Sequence, residues 1–91
     1  MEIKVTQKHI NKGRRGDVNT CAIALALAEQ FGADADDVSV DPNEIKVSKK
    51  NGFSFSFEWT KIPARIQNFI SKFDHDKASV KPFSFKLPVP F

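Results

Sequence analysis

The stretch Phe53-Ser54-Phe55-Ser56-Phe57-Glu58-Trp59 constrains this chain more than any other, because four aromatic residues alternate strictly with three polar ones. A period of two puts every aromatic on one face of a strand and Ser54, Ser56 and Glu58 on the other. Such a strand belongs to a sheet that is wet on one side and covered on the other. The next segment supplies a cover. With Thr60 as cap and Pro63 in the first turn, Ile62, Ile66, Phe69, Ile70 and Phe73 form a narrow stripe, while Lys61, Arg65, Asn68 and Lys72 face outward.

The strand before the aromatic ladder is Ile45 to Ser48, followed by Lys49-Lys50-Asn51-Gly52, a hairpin signal. A two-residue Asn51-Gly52 loop would send the apolar residues of the two strands to opposite faces. A three-residue loop, Lys50 to Gly52 with Gly52 left-handed, sets Val47 opposite Phe55 and Ile45 opposite Phe57, and is the expected arrangement. Glu2 to Thr6 reads as a first strand with Ile3 and Val5 inward, Val38 to Val40 as another before a turn at Asp41-Pro42-Asn43, and Phe83 to Leu87 as the last. Pro88 and Pro90 lack amides, so Leu87 to Phe91 suits an edge or an extended C-terminal arm.

Between the first two strands lie a basic connector and an Ala- and Leu-rich helix. The helix is expected to start at Asp17 or Asn19 and to stop at Gly32 after Phe31. Its apolar arc holds Cys21, Ile23, Ala24, Leu27, Ala28 and Phe31 and is widened by Leu25, which implies a central helix or one shared with a second subunit. The expected fold is a single α+β domain over residues 1–91, a mostly antiparallel sheet with two helices on one face, in the order β-α-β-β-β-α-β.

A chain of 91 residues has one core, which excludes an enzyme with separate cofactor and substrate domains. Its 14 Lys and Arg against 11 Asp and Glu give +3 at neutral pH, compatible with an anionic partner. The charge is polarised: no Lys or Arg occurs between Arg15 and Lys46, where Asp34, Asp36, Asp37, Asp41 and Glu44 fall. Cys21, the single cysteine, has no internal disulfide partner, no signal-peptide pattern opens the sequence, and the apolar run Cys21 to Ala28 is far shorter than the roughly 20 residues of a membrane span. A cytoplasmic setting is expected.

Gly13-Arg14-Arg15-Gly16-Asp17, directly before a helix start, is the most informative constellation. Free helix amides and the helix dipole favour an anion, glycines allow close approach, and arginines fork onto phosphate oxygens. With Lys8, His9 and Lys12 raising the local potential, Lys8, His9, Lys12, Gly13, Arg14, Arg15, Gly16 and Asp17 make a candidate ligand site. The alternative is a loop with solvated arginines, and the spacing of a nucleotide-hydrolysing P-loop is missing. Cys21 with His9 would make a nucleophile and base, yet Cys21 falls on the apolar side of its helix as core cysteines do. The aspartates after Gly32 lack the glycine and glutamate of a calcium loop, Asp74-His75-Asp76 cannot alone complete a metal sphere, and the aromatic ladder is needed for the core before it is free to stack bases. No catalytic residue, cofactor or metal is expected.

The combination Ile3-x-Val5, His9-Ile10, Gly13 to Gly16 and Cys21-Ala22-Ile23-Ala24-Leu25-Ala26, with Phe73-Asp74 and Pro82-Phe83-Ser84-Phe85 later, resembles a group of small proteins encoded by phages and bacterial mobile elements. The resemblance brings no established activity and implies a setting: non-enzymatic counter-defence factors that bind a host component or sequester a signalling nucleotide. The resulting expectation is a homo-oligomeric binding protein holding a phosphate-bearing ligand at Gly13 to Asp17. The alternatives are an inhibitor of a host defence protein such as a CRISPR nuclease complex, acting through the basic connector or the acidic segment Asp34 to Glu44, and a nucleic-acid-binding protein using Lys46, Lys49, Lys50 and the connector.

Overall fold

The computed structural model describes residues 2–32, 37–49 and 55–88. The first strand, β1 (Glu2–Val5), buries Ile3 and Val5 as its alternation requires. Thr6 then caps a helix, α1 (Gln7–Lys12), within the segment expected to be a connector. The Thr6 hydroxyl accepts the His9 amide, and the Thr6 amide donates to His9 Nδ1 at 3.0 Å, a capping box with histidine in the place usually taken by glutamate. A six-residue helix has little stability of its own, and it is this reciprocal cap plus burial of His9 and Ile10 that holds it.

The second helix, α2 (Ala22–Phe31), starts later than expected because the amides of Asn19 and Thr20 are taken up by the Asp17 carboxylate at 2.9 and 3.2 Å, forming a separate turn before it. Gly32 ends it at φ 63°, the left-handed stop expected there. Ala22, Ile23, Ala24, Ala26, Leu27 and Phe31 are all buried, and α2 touches α1, β1 and the next two strands. Most of the wide apolar arc is therefore buried in the chain's own core, with Leu25 and Ala28 half-buried.

Strands β2 (Val38–Asp41), β3 (Glu44–Lys49) and β4 (Phe55–Trp59) form an antiparallel sheet in that order. The Asp41 carboxylate takes the amides of Asn43 and Glu44 and fixes the first turn. Ile45 and Val47 are buried as expected, but the register is shifted by two: Val47 pairs with Phe57 and Ile45 with Trp59, not with Phe55 and Phe57. The shift sets Lys46 opposite Glu58, an opposite-charge pair, where the expected register offered it Ser56. The three-residue turn and the conformation of Gly52 lie outside the described residues.

The third helix, α3 (Ala64–His75), begins after Pro63 rather than at Thr60, because the residue before a proline is pushed out of the helical region and Ile62 stays outside. Ile66, Phe69, Ile70 and Phe73 are buried as the stripe predicted. A 3-10 turn (Lys77–Ser79) leads to β5 (Phe83–Lys86), which pairs antiparallel with β1 as a separate two-stranded sheet. The α+β class and antiparallel pairing are as expected. The order β-α-α-β-β-β-α-β, with one helix more than expected, and the division into two sheets are corrections. Helix α2 touches β1 as well as β2 and β3, and Trp59 lies on Phe85 at 6.3 Å between centroids, so β4 and β5 meet through a ring contact without pairing as strands. Leu87, assigned to a possible arm, is buried at 1% exposure, and residues 89–91 lie outside the described ones.

Candidate functional site

The structure divides the predicted segment. Lys8 and Lys12 lie exposed on α1, and Arg14 and Arg15 are exposed in the following loop. His9 is buried and occupied on both nitrogens: Nδ1 faces the Thr6 amide and hydroxyl, and Nε2 lies 2.6 Å from Glu29 Oε2 on α2. Gly13 is buried against the start of α2, where an added Cβ would meet the Ala22 nitrogen at 2.7 Å and Phe73 Cζ at 2.9 Å. The helix amides meant to complete an anion cradle belong to Ala22, Ile23 and Ala24, all within 1% of full burial. They lie at the buried junction with Gly13.

The rest of the loop is tied to the C-terminal end of α3. The Gly16 amide donates to Asp74 Oδ1 at 2.9 Å, and Arg15 donates to the His75 carbonyl at 3.2 Å. Lys77 caps the end of α1, donating to the Asn11 and Gly13 carbonyls at 2.6 and 2.8 Å. Asp17 caps the turn before α2. The Asn19 amide first, with Thr20 and the Arg14 charge, holds its carboxyl below the usual carboxylate range against a desolvation that raises it. Gly13, Arg15, Gly16 and Asp17 are thus engaged in protein contacts, which leaves Lys8, Lys12 and Arg14 as open cations. Glu29 and Asp74 dilute the field there.

A second site is more one-sided in charge. Arg65, Asn68 and Lys72 recur at i, i+3 and i+7 on α3 and so share its outer face. Ser79, Val80 and Lys81 return beside them, fixed by the Asp76 carboxylate on the Ala78 amide at 3.2 Å, by Ser79 Oγ on the Asp76 carbonyl at 2.8 Å and by the buried Val80. Between them lies a cleft of about 520 Å³. Its rim carries Arg65, Lys72 and Lys81 with no carboxylate among the described residues that line it, and its floor is Phe69, Phe83 and Val80. The Arg65 guanidinium stands 5.6 Å from the centre of the Phe83 ring and donates to the Ser84 carbonyl, so its position is set before any ligand arrives. Phe69 supports Phe83 from below at 4.5 Å between centroids.

In the sequence Arg65, Asn68 and Lys72 fall on the solvent side of their helix, with nothing local to mark them as a site. Their polar i, i+3, i+7 spacing was the available signal, but the return of Ser79 to Phe83 along that face is a tertiary event. Elsewhere, burial pushes the Cys21 thiol up, opposed by amides of α2. With His9 committed to Thr6 and Glu29, no activated nucleophile forms from that pair. Lys46 lies 3.4 Å from Glu44 and opposite Glu58, while the side chains of Lys49 and Lys50, and Asp34 and Asp36, lie outside the described residues. Among the described residues no group of three or more His, Cys, Asp or Glu is arranged to hold a metal ion, and no helix is long and apolar enough to cross a membrane. Comparison with known protein families, with curated proteins and with solved structures finds no match to this chain.

Proposed function

We propose that this protein binds a phosphate-bearing ligand such as a nucleotide without turning it over, and that the phosphates seat in the cleft between α3 and the Ser79–Phe83 segment. The observation that carries this reading is the rim of three cations, Arg65, Lys72 and Lys81, over an aromatic floor with no carboxylate lining the cleft. Arginine offers a planar fork to phosphate oxygens, and the Asn68 amide and Ser79 hydroxyl add neutral hydrogen-bonding groups. Among the described residues the lining contains no imidazole, carboxylate or thiol, which favours holding a ligand over reacting with it. In the phage setting that the sequence resemblance implies, retention without turnover amounts to sequestration of a signalling nucleotide.

Titration of fluorescent ATP and of inorganic pyrophosphate into the protein, with calorimetry as a second readout, tests the reading. Saturable binding is expected, and Lys72→Gln together with Lys81→Gln, both exposed, should weaken it by about tenfold per lost charge-assisted contact. Absence of binding to either probe, or unchanged affinity in the double variant, overturns it.

A further inference from the structure

The phosphate cleft does not end at Phe83. On the other side of that residue a second depression of about 470 Å³ is lined by Lys4, Val5, Thr6 and Gln7 together with Pro82, Phe83 and Ser84. A third, of about 390 Å³, shares Arg65 and Ser84 with these two and adds Lys86 and Glu2. The first shares Phe83 with the second and Arg65 with the third, and the last two share Ser84, so the three border one another around β5 from Lys72 and Lys81 toward Lys4. Five cations border this path against one carboxylate, Glu2, which sits opposite Lys86 across the β1–β5 pair.

We infer that the groove along β5 takes single-stranded nucleic acid, an inference that rests on the phosphate reading and extends it from one nucleotide to several. A mononucleotide needs one cationic pocket, whereas cations spaced along a groove track a polymer backbone. Phe83 joins the first two depressions and Arg65 joins the first and third, and the Arg65 guanidinium, 5.6 Å from the centre of the Phe83 ring, is a flat group of the kind on which unpaired bases stack. Strand β5 is four residues long, so the groove offers roughly 13 Å along the strand at about 3.3 Å per residue, which suits a short stretch of a few nucleotides.

The test is fluorescence anisotropy with 5′-labelled thymidine 5′-monophosphate, oligothymidylates of four and eight nucleotides, and an eight-base-pair duplex. Affinity is expected to rise at least tenfold from monomer to tetramer and little beyond it, and log K should fall with log salt at a slope of about −2 for three phosphate contacts on a single strand. Lys4→Gln should weaken the tetramer and leave the monomer unchanged, while Lys72→Gln should weaken both. If the monomer binds as tightly as the octamer, or the duplex as tightly as the single strand, the inference fails and the nucleotide reading stands. If neither monomer nor oligomer binds, both fall together.

Discussion

His9 Nε2 on α1 lies 2.6 Å from Glu29 Oε2 on α2, with the imidazole 9% and the carboxylate 68% exposed, so a buried ring is tied to a carboxylate at the surface. The Thr6 amide occupies Nδ1, and this orients the ring so that the Nε2–H donates to Glu29. The hydrogen bond from His9, then its charge, and more weakly Lys8 and Lys12, hold the Glu29 carboxyl below the usual carboxylate range, while desolvation opposes them. A carboxyl whose value is lowered in the folded chain stabilises it above the unfolded value of about 4.3, and that contribution is lost as pH falls through the folded value. Denaturant midpoints measured from pH 7 to pH 3 should therefore fall less steeply below about pH 4.5 for Glu29→Gln than for the parent. Parallel acid limbs would mean that Glu29 carries no folding-linked proton.

The two glycines that bracket the arginines serve different ends, and a pair of substitutions separates them. Gly13 has φ −65°, a conformation open to any residue, but an alanine Cβ would press on the Ala22 nitrogen and the Phe73 ring at under 3 Å. Gly16 has φ 73° with nothing within 4 Å. Gly13→Ala should cost about 2 kcal/mol by overpacking, roughly 10 °C in Tm for a domain of this size. Gly16→Ala should cost about 1 kcal/mol, from the left-handed backbone alone. Thermal unfolding followed by circular dichroism reads both, and equal small losses would contradict the close approach at Gly13.

Legibility in the sequence followed the range of the interaction. Patterns closed within a few residues were readable: the inward parity of Ile3 and Val5, the stripe Ile66, Phe69, Ile70 and Phe73, and the stop at Gly32. The Thr6–His9 capping box was equally local but was hidden by a histidine in glutamate's place, and so α1 read as connector. Register depends on the partner strand, since both alignments keep the same parity and differ in which residues pair, such as Lys46 with Glu58 in place of Ser56. The glycine–arginine string has the local composition of an anion cradle as long as only solvent surrounds it. In the fold, Phe73 and Ala22 close on Gly13, and Asp74 and His75 engage Gly16 and Arg15. The cleft beside Arg65 required residues 79–83 to return to α3, and no local pattern encodes that.

Cys21 occupies the N-cap of α2 at 6% exposure with no side-chain cap bond. Burial raises its thiol, and the Asp74 and Asp17 charges push the same way. A thiol that is covered and short of thiolate reacts slowly. Ellman's reagent at pH 8 should modify the native protein at least about 100-fold more slowly than the protein unfolded in guanidinium. Comparable rates would show that the start of α2 opens readily and would revive Cys21 as a reactive group.

Arg14 and Arg15 look equivalent in sequence and differ in the fold, and their separate replacement decides whether the loop or the cleft holds the ligand. Arg15 gives one hydrogen bond to the last carbonyl of α3, at an exposed position, so Arg15→Ala should lower stability by about 0.5–1 kcal/mol and leave phosphate affinity unchanged. Arg14 makes a backbone bond through its amide to the Thr20 carbonyl at 2.9 Å, which alanine preserves, and its guanidinium is open to solvent. Arg14→Ala should therefore keep the parent Tm and weaken binding of inorganic pyrophosphate by less than about twofold, the effect of one distant charge screened by salt. Lys72→Gln with Lys81→Gln gives the opposite pattern, with Tm kept and affinity lost. Should Arg14→Ala abolish binding while the lysine pair leaves it intact, the phosphate site returns to the Gly13–Asp17 loop and the cleft along α3 is a surface feature of the fold.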